Sequence, residues 1–284
     1  MELFAGALAS SAAPSLRNLM LEVEYAELED DAIEALATMS EARAQRPTCR
    51  RLEVLKRDGR VAGNSQLMRA LLPSVVELEF NFLDGDMDDL YQDNFASNGA
   101  PQLKKFKIVF LDEEGENIIV APSVAMLESM PALESLVFDT SNQYSDQIAV
   151  LEPLILAMNR RVAFQLLQRL CLSCYCLENI EWDRVLRAIA CVPQLTSLSL
   201  TESDLSPANM ATFSTLLGQN AFPTLQSLRV SYDHLIEDQG VEVLVEGLLA
   251  HAYWTRLKAL DLNSGHGCPG HCYPRGALRA TGSP

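Results

Sequence analysis

A pattern of apolar positions recurs along the chain. It consists of an apolar residue, two variable residues, a second apolar residue, one variable residue and a third apolar residue, with a proline two positions upstream. The clearest copies are Pro14–Leu21, Pro193–Leu200 and Pro223–Val230. Side chains alternate between the two faces of a strand, so the last two apolar positions of a copy, such as Leu198 and Leu200, point the same way. The pattern therefore predicts a short strand with one apolar face in each copy.

Copies of this pattern run through almost the whole chain, and successive copies begin between 26 and 34 residues apart. One such unit is too small to bury its own apolar side chains, and repeats of this length bury them by stacking. The spacing therefore predicts a solenoid of about nine repeats. Their first apolar positions are Leu16, Cys49, Val75, Leu103, Leu133, Leu167, Leu195, Leu225 and Leu257.

Between the copies, apolar residues return every three or four positions, which is the period of an amphipathic helix. Examples are Ile148–Met158, Val185–Ile189 and Leu244–Leu249. Ser206 followed by Pro207 predicts the start of a helix over 208–217, because serine caps helices and proline is tolerated at their first position. Helices are about 10 Å wide and paired strands lie about 4.8 Å apart, so we expect the stack to curve with its parallel strands on the concave face.

The repeated Leu-x-x-Leu-x-Leu, the period near 30 and the helix in each unit resemble the ribonuclease-inhibitor-like class of leucine-rich-repeat proteins, over residues 1–265. The resemblance implies an α/β horseshoe with helices on its convex face. The family has Asn or Cys three residues after the last strand leucine, whereas this chain has Ser203, Asp233 or Leu83, so irregular turns are expected. We expect residues 1–265 to be a fragment without caps at one or both ends, and residues 266–284 to be an irregular, disordered tail.

The charge balance narrows the classes of partner. Asp and Glu outnumber Lys and Arg by 38 to 22, which gives a formal net charge of −16. Such a balance argues against nucleic acid and anionic membrane surfaces, because their phosphates would be repelled. No apolar run approaches the roughly 18 residues of a membrane span. The start of the chain lacks the basic region of a signal peptide, so its seven cysteines are expected to be reduced thiols in the cytoplasm.

Groups that could carry chemistry are few. A cysteine and histidine cluster near the C-terminus lacks the second ligand pair of a structural zinc site. The Asp84–Asp89 segment lacks the sixth-position Gly and the twelfth-position Glu of a calcium loop. Cys171, Cys174 and Cys176 have no evident activating partner. The sequence therefore predicts no enzyme, no metal, no cofactor and no small-molecule substrate. The C-terminal cluster consists of His266, Cys268, His271 and Cys272.

The residues that alternate with the strand leucines are polar, although parallel sheets are usually covered on both faces. We expect them to form a concave surface on which a protein partner binds, so that the chain is a protein-protein interaction module, the recognition arm of a larger scaffold or receptor. The alternatives are a regulator of a small GTPase, similar to Ran GTPase-activating proteins, and an inhibitor of a basic enzyme. The expected binding residues are Arg51, Glu53, Glu77, Glu79, Lys105, Lys107, Asp139, Arg169, Ser199, Arg229 and Asp261.

Overall fold

The computed structural model describes residues 18–22, 38–39, 54–58, 72–82, 95, 99–111, 121–142, 147–174, 177–231, 237–250, 255–263 and 278–279. The chain divides into two compact units, Met1–Glu134 and Ser135–Pro284.

In the described part of the first unit, four strands pair in parallel and in chain order: β1 (Asn18–Glu22), β2 (Val54–Asp58), β3 (Glu77–Phe82) and β4 (Lys105–Leu111). A short helix, α1 (Val124–Glu128), follows β4, and the Ser123 hydroxyl caps it by accepting a hydrogen bond from Met126 N. Leu78 and Phe106 are partners in the register and are buried, as are Val75 and Leu103. These apolar positions of the repeats form the core of the unit.

In the second repeat, the strand register differs from the one that the sequence predicts. Its motif predicts a strand over Arg51–Leu55, with Val54 facing the core, but β2 begins at Val54 and Leu55 is the Cα partner of both Leu19 and Leu78. Stacking aligns like positions, and this frame places Leu55 in the apolar row of the neighbouring repeats. Val54 and Lys56, rather than Arg51 and Glu53, are therefore the partners of β3 residues Glu77 and Glu79. Arg51 and Glu53 lie outside the described residues.

The second unit alternates strands and helices. Each pair of neighbours among β5–β9 is parallel, and β10 pairs antiparallel with β9. The domain boundary at residue 265 and the irregular tail after it remain predictions. In chain order the elements are β5 (Ser135–Asn142), α2 (Gln147–Asn159), β6 (Arg169–Ser173), α3 (Asn179–Ile189), β7 (Ser197–Thr201), α4 (Pro207–Gly218), β8 (Ser227–Ser231), α5 (Glu237–Ala250), β9 (Ala259–Asn263) and β10 (Leu278–Arg279).

The core of the second unit consists of aligned leucine rows against the helices. One row runs through Leu136, Leu170, Leu198 and Leu228, all buried and each the partner of the next. The helices contribute large buried side chains to this core, among them Trp182 and Phe213. The leucines of the predicted motif thus hold sheet and helices together, because burying a large aliphatic side chain contributes about 1.5–3 kcal/mol.

Local signals account for the start of α4 and for the turn before it. Ser206 is the N-cap and accepts from Asn209 N, and Pro207 is the first helical residue, so the predicted helix start is confirmed. In the preceding turn Glu202 and Asp204 have φ of 52° and 46°, a left-handed conformation that is uncommon for non-glycine residues. The buried Ser203 hydroxyl donates to Thr201 O at 3.0 Å. The sequence predicts an irregular turn here, because Ser203 stands where Asn or Cys is expected. The structure shows such a turn.

Each unit is thus an α/β solenoid, since its strands occupy the repeated leucine motif, pair in parallel with like positions aligned, and alternate with helices where the second unit is described. None of the helices in the described part of the chain is long and apolar enough to cross a membrane.

Candidate functional site

We call the strand side chains that alternate with the core residues the polar face. In the first unit this face carries two cross-strand ion pairs, because the register places Glu77 beside Lys105 and Glu79 beside Lys107. Lys105 Nζ lies 2.9 Å from Glu77 Oε2, and Lys107 Nζ lies 2.5 Å from Glu79 Oε1. The lysine side chains remain 53% and 41% exposed, so solvent reaches both pairs. Four of the six binding residues predicted in this unit are therefore adjacent and accessible.

Ion pairs at this exposure contribute little to stability, about 0–1 kcal/mol each, because water screens them. A partner that covered them would lower the local dielectric constant and strengthen every charge interaction at the surface. Alternating signs on neighbouring strands would then favour one orientation of the partner over others. The two pairs therefore contribute little to the stability of the fold while solvent reaches them.

The polar face of the second unit combines small hydroxyl side chains with a further ion pair. Its central row aligns Cys171, Ser199, Arg229 and Asp261 on successive strands. Arg229 Nε donates to Asp261 Oδ2 at 3.1 Å, and the Arg229 side chain is exposed. The three predicted binding residues of this row therefore lie side by side.

Two predicted residues flank this central row. Arg169 is exposed at the start of β6 and is the partner of Ser135 and Ser197. Asp139 is half-buried and is the partner of Ser173 at the other end of β6. The face of the second unit therefore presents hydroxyls between charged groups of both signs.

The thiols of Cys171 and Cys174 are poor nucleophiles. Burial raises the pKa of the Cys171 thiol, and hydrogen bonds with Ser199 and Thr201 only partly offset the increase. Burial also raises the pKa of Cys174, to about 12, although a hydrogen bond with Thr140 acts in the opposite direction. Both thiols stay protonated near neutral pH, and the thiolate is the reactive form. The prediction that Cys171 and Cys174 are unreactive therefore has a physical basis.

The order of thiol alkylation is a direct check. In the native protein near neutral pH, iodoacetamide is expected to modify Cys191, which is partly exposed, well before Cys174, which is buried and protonated. Mass spectrometry of peptides from native and urea-treated protein measures both rates. Equal native rates for Cys174 and Cys191 would contradict the packing of β6.

Among the described residues, no three His, Cys, Asp or Glu side chains lie close enough together to hold a metal ion. The His266–Cys272 cluster and the Asp84–Asp89 segment lie outside those residues. The expectations of no metal, no cofactor and no catalytic residue therefore remain predictions.

Comparison with known proteins adds little beyond the geometry. No family model matches the chain, and no curated protein matches it. Among solved structures, the chain is similar to a crystal structure of a TLR13–ssRNA13 complex, with 17% sequence identity and a TM-score of 0.47. The match covers 88% of this chain and 33% of the other, so the chain spans about one third of that protein's length.

Proposed function

We propose that this chain is a protein-interaction module that binds a macromolecular partner on its polar face. The observation that carries the proposal is the chemistry of that face. Parallel sheets are normally apolar and covered on both sides. Here the leucine side is buried, whereas the opposite side carries charged and hydroxyl groups that solvent reaches, including Lys105, Lys107, Arg169 and Arg229. Such a surface is available to a partner without unfolding any element.

The proposal also covers the class of the repeats and the shape of the solenoid. We take the solenoid to be of the ribonuclease-inhibitor-like class, with about nine repeats in a horseshoe. A helix of 11 to 14 residues follows each of the strands β5 to β8, which supports a helix in every repeat. Curvature follows from the difference between the width of a helix and the spacing of strands. On that geometry the polar face lines the concave side.

The charge pattern favours a protein as the partner. In the first unit two glutamates face two lysines, and in the second Arg229 faces Asp261, so these groups balance. A nucleic acid would be held mainly by cations, which here are neutralised by carboxylates. An inhibitor of a basic enzyme would need an excess of acids at the contact, and these pairs supply none. A protein surface with charges of both signs fits better.

Reversing the two lysine charges on the polar face is expected to slow association with the partner. Lys105→Glu with Lys107→Glu places four carboxylates where two ion pairs stood, so the orientation of the partner should be lost and its association rate should fall about tenfold. The salt dependence of that rate should also change, because exposed charges act over about a Debye length. Association kinetics with a partner recovered by pull-down from the native cell measure both effects.

Two matched variants separate orientation from folding. The exchange Glu77→Lys with Lys105→Glu keeps an ion pair but reverses its direction, so it should preserve the unfolding midpoint and still slow association. Glu242→Lys with Glu246→Lys changes two exposed charges on α5 and should leave association within about twofold of wild type. Loss of binding in the α5 variant alone would place the working surface on the helices and reject the proposal.

A further inference from the structure

The leucines of the repeat that contains β9 are less buried than those of the repeats before it. Leu260 and Leu262 of β9 are half-buried, and so is Leu257, which begins the motif. Their partners in β8, Leu228 and Val230, are 0% and 1% exposed. In a stack of repeats each strand covers the apolar side chains of its neighbours. Cover is therefore incomplete on the side of β9 that faces away from β8.

Helix α5 leaves apolar side chains uncovered on the same side of the stack. Gly247 faces α4, because a Cβ added there would lie 2.8 Å from Ser214 Cβ. Val245 and Leu249 are each two residues from Gly247, and at about 3.6 residues per turn this places them on the opposite side of the helix. Val245 is half-buried and Leu249 is 59% exposed. We call the following four residues the end face: Val245, Leu249, Leu260 and Leu262.

The edge of β9 that faces away from β8 already holds a short extended segment. β10 pairs antiparallel with this edge, and its register joins Leu278 to Leu262 and Arg279 to Asp261. The register between β8 and β9 likewise joins a leucine to a leucine and an arginine to Asp261. β10 has two residues and β9 has five, so β10 pairs with less than half of the strand.

A strand edge carries backbone donors and acceptors that can pair with another extended chain. In such strand addition the main-chain hydrogen bonds supply affinity, and the alternate side chains supply specificity. A strand added to β9 turns every second side chain towards the leucine side of the sheet, so aliphatic residues fit there. Asp261 already pairs with Arg229 at 3.1 Å, so recognition rests on the backbone and the aliphatic side chains rather than on charge.

A second copy of this chain fits the edge less well. Antiparallel pairing of two β9 strands that keeps both leucines opposite leucines joins Leu260 of one copy to Leu262 of the other. The two Asp261 residues then lie directly opposite each other, and like charges in that position are destabilising. Each copy also has a formal net charge of −16, so two copies repel each other.

We propose that the end face is a strand-addition site, which binds an extended segment of a partner protein antiparallel to β9, with aliphatic side chains at alternate positions. The segment replaces β10 and pairs along the whole of β9. Its aliphatic side chains cover Leu260 and Leu262 and contact Val245 and Leu249 of α5. This site is separate from the polar face, and each surface is tested by its own variants.

The test is fluorescence anisotropy with the full chain and short labelled peptides. One peptide has valine at alternate positions with threonine or lysine between, and it is expected to bind. A peptide of the same composition with its valines in succession should bind about tenfold more weakly. N-methylation of every second residue blocks one edge of an extended peptide. One of the two methylation patterns should abolish binding and the other should leave the affinity within about twofold, because β9 pairs with one edge only.

Three variants of the full chain locate the site. Leu249→Glu should weaken binding of the alternating peptide about tenfold, because the new carboxylate would lie against aliphatic side chains. Leu156→Glu is the matched control, since Leu156 lies in the last turn of α2 and is 41% exposed, and it should leave binding within about twofold. Leu278→Pro removes a backbone N–H from β10 and should tighten binding about threefold, because β10 competes with the peptide. Thermal melts show whether each variant retains the fold.

Absence of binding by the alternating peptide overturns the proposal, as do equal effects of the two methylation patterns. Unchanged affinity in Leu249→Glu or in Leu278→Pro also overturns it, because the peptide would then bind elsewhere. A dimer in sedimentation equilibrium that Leu249→Glu dissociates overturns it in favour of contact between two copies. Lys105→Glu with Lys107→Glu should leave peptide binding unchanged, which keeps this result distinct from failure of the polar face.

Discussion

Leu198→Ala is expected to lower the free energy of unfolding by about 2–5 kcal/mol, as truncation of a fully buried leucine does. Leu198 is 0% exposed and lies in the leucine row between Leu170 and Leu228. Its removal leaves a cavity between the sheet and the helices that neighbouring repeats cannot close without changing their own spacing. Urea unfolding followed by circular dichroism measures the loss.

Ser199→Ala is the matched control, because Ser199 is the next residue of β7 and points to the polar face. It should change the free energy of unfolding by less than about 0.5 kcal/mol. The two substitutions are at adjacent residues of β7 and address opposite faces of the sheet. Equal losses at Leu198 and Ser199 would show that the assignment of the two faces is wrong.

Gly247→Ala is expected to destabilise the protein by about 1–3 kcal/mol, although alanine normally favours a helix over glycine by about 1 kcal/mol. A Cβ at Gly247 would lie 2.0 Å from Ser214 Oγ, 2.8 Å from Ser214 Cβ and 3.1 Å from Ser214 Cα. Rotation of the hydroxyl removes only the first of these contacts. Helices α4 and α5 would therefore have to separate, which disturbs the core between them.

A graded series at Ser214 tests that cause. In the Gly247→Ala background, Ser214→Ala removes the hydroxyl but leaves the Cβ, and should restore stability only in part. Ser214→Gly removes both and should restore more, since the helices can then approach as before. Additive losses from the two sites, measured in a double-mutant cycle, would show that the helices do not meet there.

The strands and the core could be predicted from sequence because their determinants are local and repeated. Alternation sets the facing of Leu198 and Ser199 without knowledge of the rest of the chain, and Ser206 with Pro207 marks a helix start by short-range hydrogen bonding. The same regularity places Glu77 and Glu79 beside Lys105 and Lys107, since equal offsets within a repeat meet when repeats stack. Binding at these residues remains a prediction.

Where two local frames compete, the sequence is ambiguous. The second repeat contains Leu52, Val54 and Leu55. The motif alone favours the frame that ends at Val54, because the frame through Leu55 puts Arg57 at the third apolar position, and pairing with Leu19 and Leu78 selects the second frame. The positive φ of Glu202 and Asp204 is likewise imposed by the surrounding turn rather than by residue type.

Lysine acetylation, measured by mass spectrometry with and without the bound partner, tests the central claim most directly. Lys105 and Lys107 project from the polar face, whereas Lys104 precedes β4 and pairs with Glu134 at 2.8 Å, which makes it an internal control. The proposed function predicts that the partner slows acetylation of Lys105 and Lys107 and leaves Lys104 unchanged. Unchanged rates at Lys105 and Lys107 in a saturated complex would contradict it.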